Sequence, residues 1–190
     1  MRSTFAIVVA AALTVFACSE STTTGPTGAP STFTMLLKDS PFSDAKSLLV
    51  TFSDVSAHKA EGEWTRLPFP AGVSSLTCDL KKLTNAQDVL GTGPLTPGRY
   101  TMVRVEVTSA ALYFDNAAAG PACAATVAPP AGRSAPVEVP SGVVRLNRGF
   151  ELSSTAPTTM LLDFDGDRSI RETGNGRYMM TPVIGVVSVQ

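Results

Sequence analysis

Apolar residues in this chain come in short runs broken by Gly and Pro, and where they alternate they do so with a period of two. That is strand patterning, because successive side chains of an extended backbone point to opposite faces. The segment 100–114 carries it best: Thr101, Val103, Val105 and Val107 fall on one face, Arg104 and Glu106 on the other. Within 46–58, Leu48, Val50 and Phe52 alternate likewise, and the phase slips at Asp54 and Val55, which predicts a bulge. Further strands are expected over 33–38, 64–67, 75–80, 137–139, 143–152, 158–165 and 177–189, with a helical turn within 81–90. Gly174-Asn175-Gly176 is a strong hairpin signal. Pro182 offers no N–H to a ladder, so the last strand is expected at an edge or bulged there. The Ala-, Gly- and Pro-rich stretch 116–135 reads as a long surface loop.

This pattern predicts an all-β fold, a single antiparallel β-sandwich occupying residues 33–190. Tyr100, just after Pro97-Gly98 at a strand start, is expected to form a tyrosine corner, its hydroxyl bonded back to the chain upstream.

The N-terminus is of another kind. Arg2 precedes an apolar run from Phe5 to Phe16, roughly a dozen residues, shorter than the ~20 a membrane-spanning helix needs. It ends at Val15-Phe16-Ala17-Cys18, which reads as a lipoprotein export signal: residues 1–17 are removed and Cys18 carries lipid. Phe16 is bulky where a small residue is usual, and an ordinary secretory signal is the rival reading. Residues 18–32, rich in Ser, Thr, Gly and Pro, cannot repay their ordering entropy and form a flexible tether. The expected location is the bacterial cell envelope, on the outer membrane or cell surface, with the membrane contacted through the lipid anchor.

A net charge of −1 gives no electrostatic case for nucleic acid. Of 3 cysteines, Cys78 and Cys123 remain once Cys18 is lipidated, a disulfide pair in an oxidising compartment or else two free thiols. There is no Cys-x-x-Cys and 1 histidine, so zinc is not expected.

Three groups of residues are candidates for chemistry. Asp163, Asp165 and Asp167 form the densest acidic cluster, with Asp163 and Asp165 on one strand face. Calcium takes oxygen ligands of this kind, but Arg168 and Gly174 stand where an EF-hand loop has Gly and Glu, and pairing with Arg168, Arg171 or Arg177 is the plainer role. No other cofactor is indicated. His58 lacks a Gly-x-Ser-x-Gly nucleophile elbow to serve, so catalysis is not expected. Trp64, Tyr113, Phe114 and Tyr178 could offer an aromatic platform to a ligand, or simply pack. Trp64, just past a turn, and Tyr178 are the candidate ligand-binding residues.

Several local signatures occur in one order: Leu37-Lys38-Asp39-Ser40-Pro41, Val50-Thr51-Phe52-Ser53-Asp54-Val55-Ser56-Ala57-His58, Leu95-Thr96-Pro97-Gly98-Arg99-Tyr100 and Val139-Pro140-Ser141-Gly142. Leu162-Asp163-Phe164-Asp165, Arg168-Ser169, Gly174-Asn175-Gly176-Arg177-Tyr178 and Pro182-Val183-Ile184 follow. Together they resemble the uncharacterised bacterial domain family numbered 4382, found on exported lipoproteins. The resemblance implies a sandwich of transthyretin-like or immunoglobulin-like kind and brings no activity with it. Thr181, where a Lys is common, and a longer loop around Cys123 depart from the family pattern.

The expectation is therefore a lipid-anchored, non-catalytic envelope module binding a glycan, peptide or protein. A purely structural or assembly lipoprotein is the alternative, and a small hydrolase stands behind both.

Overall fold

The computed structural model describes residues 28–40 and 45–190. In chain order the strands are β1 (Ser31–Ser40), β2 (Ser47–Lys59), β3 (Trp64–Arg66), β4 (Leu76–Asp79), β5 (Asp88–Leu95), β6 (Gly98–Tyr113) and β7 (Cys123–Ala124). They continue with β8 (Ser134–Glu138), β9 (Val143–Leu146), β10 (Phe150–Leu152), β11 (Thr158–Asp165), β12 (Ile170–Gly174), β13 (Arg177–Met180) and β14 (Ile184–Val189). Helical structure among the described residues is confined to the single turn α1 (Gly166–Ser169) and two 3-10 turns, Pro70–Gly72 and Leu80–Leu83.

Two sheets result. The smaller runs β14-β11-β1-β5; the larger runs β12-β13-β8-β6-β2-β4-β7, with β3 added to β2 and both β9 and β10 added to β6. Period-two alternation decides what lies between them. Phe33, Met35 and Leu37 of β1 and Met160, Leu162 and Phe164 of β11 are fully buried. They join one core with Leu48, Val50, Phe52, Val103, Val105 and Leu112 of the larger sheet. Aromatic rings tie the layers together: Phe150 stacks at 5.0 Å on Phe33 and at 5.1 Å on Tyr100, and Phe52 meets Phe164 edge-on at 6.4 Å.

The sandwich differs from the antiparallel one expected, because its sheets are mixed. β1 pairs with β11 in parallel, Phe33 opposite Thr158 through Ser40 opposite Asp165, and β13 pairs with β8 in parallel. Alternation along one strand is the same for either direction, so it cannot report its partner's polarity. The register of β2 on β6 shifts between Phe52 and Asp54, which is the bulge at the phase slip and turns Val55 and Ala57 inward. Of the two other shifts, between Thr51 and Phe52 and between His58 and Lys59, the latter leaves Thr101 without a register partner on β2. Tyr100 and Val103 are thereby both buried, although an unbroken alternation puts them on opposite faces.

Other boundaries also differ. Segment 143–152 is two strands, interrupted where Arg148 N donates back to Leu146 O at 2.9 Å. Segment 177–189 is two strands in different sheets, and Pro182 marks the crossover rather than an edge or a bulge. Ser169 secures that crossover: its carbonyl accepts from Thr181 N and its hydroxyl from Val183 N, both at 2.8 Å. The helical turn within 81–90 shortens to Leu80–Leu83, and β5 follows it unannounced, its Gly91-Thr92-Gly93-Pro94 sequence hardly strand-like. The glycines are needed there, since a Cβ on Gly93 would lie 2.9 Å from the Pro68 ring. The expected surface loop 116–135 holds β7 and the first residues of β8.

Cys78 and Cys123 stand opposite each other on β4 and β7 and form a disulfide. Closing 45 residues of chain in this way contributes about 4 kcal/mol in the chain-entropy account. A buried polar network holds the same loop. Asp79, wholly buried, accepts from Ser47 Oγ at 2.8 Å and Leu48 N at 3.1 Å, and Ser47 Oγ in turn accepts from Ala118 N at 2.7 Å.

Candidate functional site

The candidate aromatics separate into two places. Trp64 lies half-buried on the outer face of the larger sheet, with the Arg104 guanidinium 4.7 Å from its ring centroid and the His58 ring 5.0 Å away. Arg104 also donates to Asp54 through Nε at 3.2 Å and Nη2 at 3.0 Å. Asp54 further accepts from Ser56 Oγ and pairs with Arg66 at 3.3 Å. This is a cross-strand cluster whose members satisfy one another, and it packs Arg104 and His58 against the Trp64 ring. His58 Nδ1 shares a hydrogen bond with Thr101 Oγ1 at 3.0 Å.

Tyr178 is elsewhere. It is the second residue of β13, just after the Gly174-Asn175-Gly176 turn, with Asn175 and both glycines at positive φ, and it pairs with Val137 of β8. Its ring centroid lies 5.9 Å from that of Phe114, at the end of β6. Arg133, just before β8, places its guanidinium 5.7 Å from the Phe114 centroid. These three side chains, with Ser134, Ala135 and Gly176, line a groove of about 660 Å³. On the other side of Tyr178 a recess of about 410 Å³ is lined by Pro136, Val137, Glu138 and Arg177. Both volumes fall in the range of small-molecule sites.

Arg133 is held in place by one carboxylate. Asp115 accepts from Arg133 N at 2.7 Å and Arg133 Nε at 3.0 Å, and pairs with Nη2 at 2.9 Å. The backbone N–H first, and then the guanidinium, hold the Asp115 carboxyl below its usual pKa. Tyr113, also considered for the platform, packs instead against the small cluster of Leu49, Ala118 and Val127. Arg133 was missed by pattern reading. Only the β6–β8 register brings it to Phe114, and no local signal announces that.

The aspartates are engaged at the end of the smaller sheet. Asp163 accepts from Ser40 Oγ at 2.9 Å and pairs with Lys38 at 3.5 Å. Asp165 caps α1 by accepting from Arg168 N at 2.9 Å, while Asp167 is exposed in that turn. Among the described residues, no group of three His, Cys, Asp or Glu side chains is placed to hold a metal ion. Asp39 lies on the opposite, inner side of β1, only 2 % exposed, and among the described residues no donor meets either of its oxygens in hydrogen-bond geometry. Burial pushes its carboxyl up to about 8; the nearby Gly166 N–H dipole, not aligned for a hydrogen bond, tempers this, Asp163 adds to it, Lys81 opposes it and Asp165 adds to it.

Tyr100 donates its hydroxyl to Thr96 O at 2.8 Å across the Pro97-Gly98 turn, and burial raises its pKa. Cys18, with the expected export signal and most of the expected tether, lies outside the described residues; among those described, no helix is long and apolar enough to cross a membrane.

The family model described as Domain of unknown function (DUF4382) matches residues 30–182. No curated protein and no solved structure matches the chain.

Proposed function

The chain belongs to the DUF4382 family, and from that premise we propose that it is a non-catalytic binding module of the bacterial cell envelope, anchored through lipid on Cys18, with the groove beside Tyr178 as its binding site. The observation that carries this reading is the juxtaposition of Phe114, Tyr178 and Arg133 along one concavity. Two half-buried rings supply apolar area at low entropic cost, and an exposed guanidinium supplies directed donors. That combination suits a glycan, peptide or protein surface.

The test is to pass the mature protein and its Tyr178→Ala variant over arrays of glycans and of peptides. At least one ligand class is expected to bind the unaltered protein and to be lost in the variant. Absence of any Tyr178-dependent ligand would remove the reading. Anchoring is tested separately by metabolic labelling with an alkyne fatty acid, which must mark the protein and fail to mark Cys18→Ala.

A second reading, assembly without a soluble ligand, draws on the free edge of the smaller sheet. β14 is its outermost strand, an uncharged Ile184-Gly185-Val186-Val187-Ser188-Val189 segment with Val187 51 % exposed. Such an edge accepts strand addition, although the register shift around Val187 blunts it.

A further inference from the structure

The tip of the β12–β13 hairpin brings together the parts of a reaction that needs no partner protein. Asn175 and Gly176 form its two-residue turn, between Gly174 and Arg177, which pair with each other. Their φ values of 55° and 69° are both positive, as a type I′ turn requires. Of the asparagines in the chain, Asn175 alone precedes a glycine; Asn85 and Asn116 precede Ala, and Asn147 precedes Arg. Asn116 is held through its side-chain amide, which donates to Ala131 O at 2.9 Å. The Asn175 amide is exposed and has no such partner among the described residues.

The second part of the arrangement is a base. Glu172 pairs with Tyr178 across the hairpin, and its Oε1 accepts from Gly176 N at 3.1 Å. That nitrogen is the one whose attack on Asn175 Cγ closes a succinimide ring, and a glycine carries no side chain to block its approach. Closing the ring takes a rotation about the Asn175 Cα–C bond. No atom beyond the chain neighbours lies within 4 Å of where a Cβ would stand on Gly174 or Gly176. Nothing packed against either glycine opposes the rotation.

We propose that Asn175 is a site of self-modification, deamidating through a succinimide while Glu172 draws the proton from the attacking Gly176 nitrogen. The bond formed joins Gly176 N to Asn175 Cγ, and the bond broken joins Cγ to Nδ2. The proton passes by way of Glu172 Oε1 to the departing nitrogen, which leaves as ammonia. Water then opens the ring. Cleavage at Cγ gives an aspartate in the ordinary chain; cleavage at the backbone carbonyl gives one linked through its side-chain carboxyl. Water is the sole co-reactant, and nothing is oxidised or reduced. Either product adds a negative charge at the tip, and the side-chain-linked one lengthens the backbone of a turn built for two residues. Gly176 lines both concavities beside Tyr178, so the modification alters their rim with time, whatever they bind.

The test is to hold the full mature chain near neutral pH, digest it at intervals and follow every asparagine by mass spectrometry. Fragmentation that separates ordinary from side-chain-linked aspartate identifies the products. Asn175 is expected to convert first, to a mixture of the two. Glu172→Gln, an exposed change, keeps the accepting oxygen and removes its basicity. It is expected to slow conversion in the folded protein about fivefold or more, and to leave the rate in the urea-unfolded chain unchanged. Conversion of Asn175 no faster than that of Asn85, Asn116 or Asn147 overturns the site. A folded-state rate that Glu172→Gln leaves the same, or raises, overturns the part assigned to Glu172 and, with it, the claim that the fold promotes the reaction.

Discussion

The guanidinium of Arg104 covers the ring of Trp64 at 4.7 Å while donating twice to Asp54. Because Trp64 is the sole tryptophan, tryptophan fluorescence reports on the surroundings of this one ring, which Arg104 and His58 make up. Arg104→Ala is expected to expose the indole, move its emission to longer wavelength and lower stability by about 1–2 kcal/mol, the sum of a modest cation–π contact and a partly buried ion pair. Unchanged emission would show that Arg104 does not cover the ring in solution.

Tyr100 offers a smaller and cleaner test. Tyr100→Phe keeps the stacking on Phe150 and removes only the hydrogen bond to Thr96 O. The expected loss is about 1 kcal/mol, or somewhat more if the Thr96 carbonyl stays dry. Urea unfolding should show a lower midpoint with an unchanged slope.

Gly142 explains part of the Pro140-Ser141-Gly142 signature. Its carbonyl accepts from Val107 N at 2.9 Å, and a Cβ at this position would overlap the Val107 carbonyl oxygen. Backbone cannot move aside as a flexible side chain can. Gly142→Ala is therefore expected to destabilise the domain by about 3 kcal/mol or more and to detach the approach to β9 from β6. Hydrogen exchange at Val107 would show the second effect as faster exchange of its amide.

Asp39 makes stability depend on pH in a direction opposite to the usual carboxylate. Its folded pKa of about 8 stands above the ordinary 3.8, so between those values the folded state holds a proton that the unfolded chain has released. Stability from this group therefore falls as pH rises through that window, by at most about 1.4 kcal/mol per pH unit, and the penalty is complete above the folded pKa. Asp39→Asn should flatten the slope, with the two proteins diverging most near the upper end of the window. Parallel stability curves from pH 5 to about pH 9 would contradict a buried, protonated Asp39.

Much of the site is visible only after folding, and particular residues show why. Tyr178 and the hairpin before it were legible, because a Gly-Asn-Gly turn specifies positive φ locally. Phe114 could be named as an aromatic, yet whether it packs or lines a groove depends on which strand arrives beside it. Arg133 carries no signal of its own. It acquires a role through a carboxylate 18 residues away and a ring on a different strand. Trp64 looked free from its place after a turn, but a strand distant in sequence brings Arg104 over it.

The chain's own order of residues was enough to determine an all-β domain, the apolar face of β2, the two faces of β11, the bulge near Asp54 and the hairpin at Asn175. Each of these is a contest between neighbours a few residues apart: alternation against pleat, proline against ladder, glycine against φ. Tertiary structure alone decided the parallel β1–β11 pair, the change of sheet at Pro182 and the meeting of Phe114, Arg133 and Tyr178. Those outcomes turn on which distant strands close the core most favourably, and an apolar alternation reads the same whichever partner, in whichever direction, comes to lie against it.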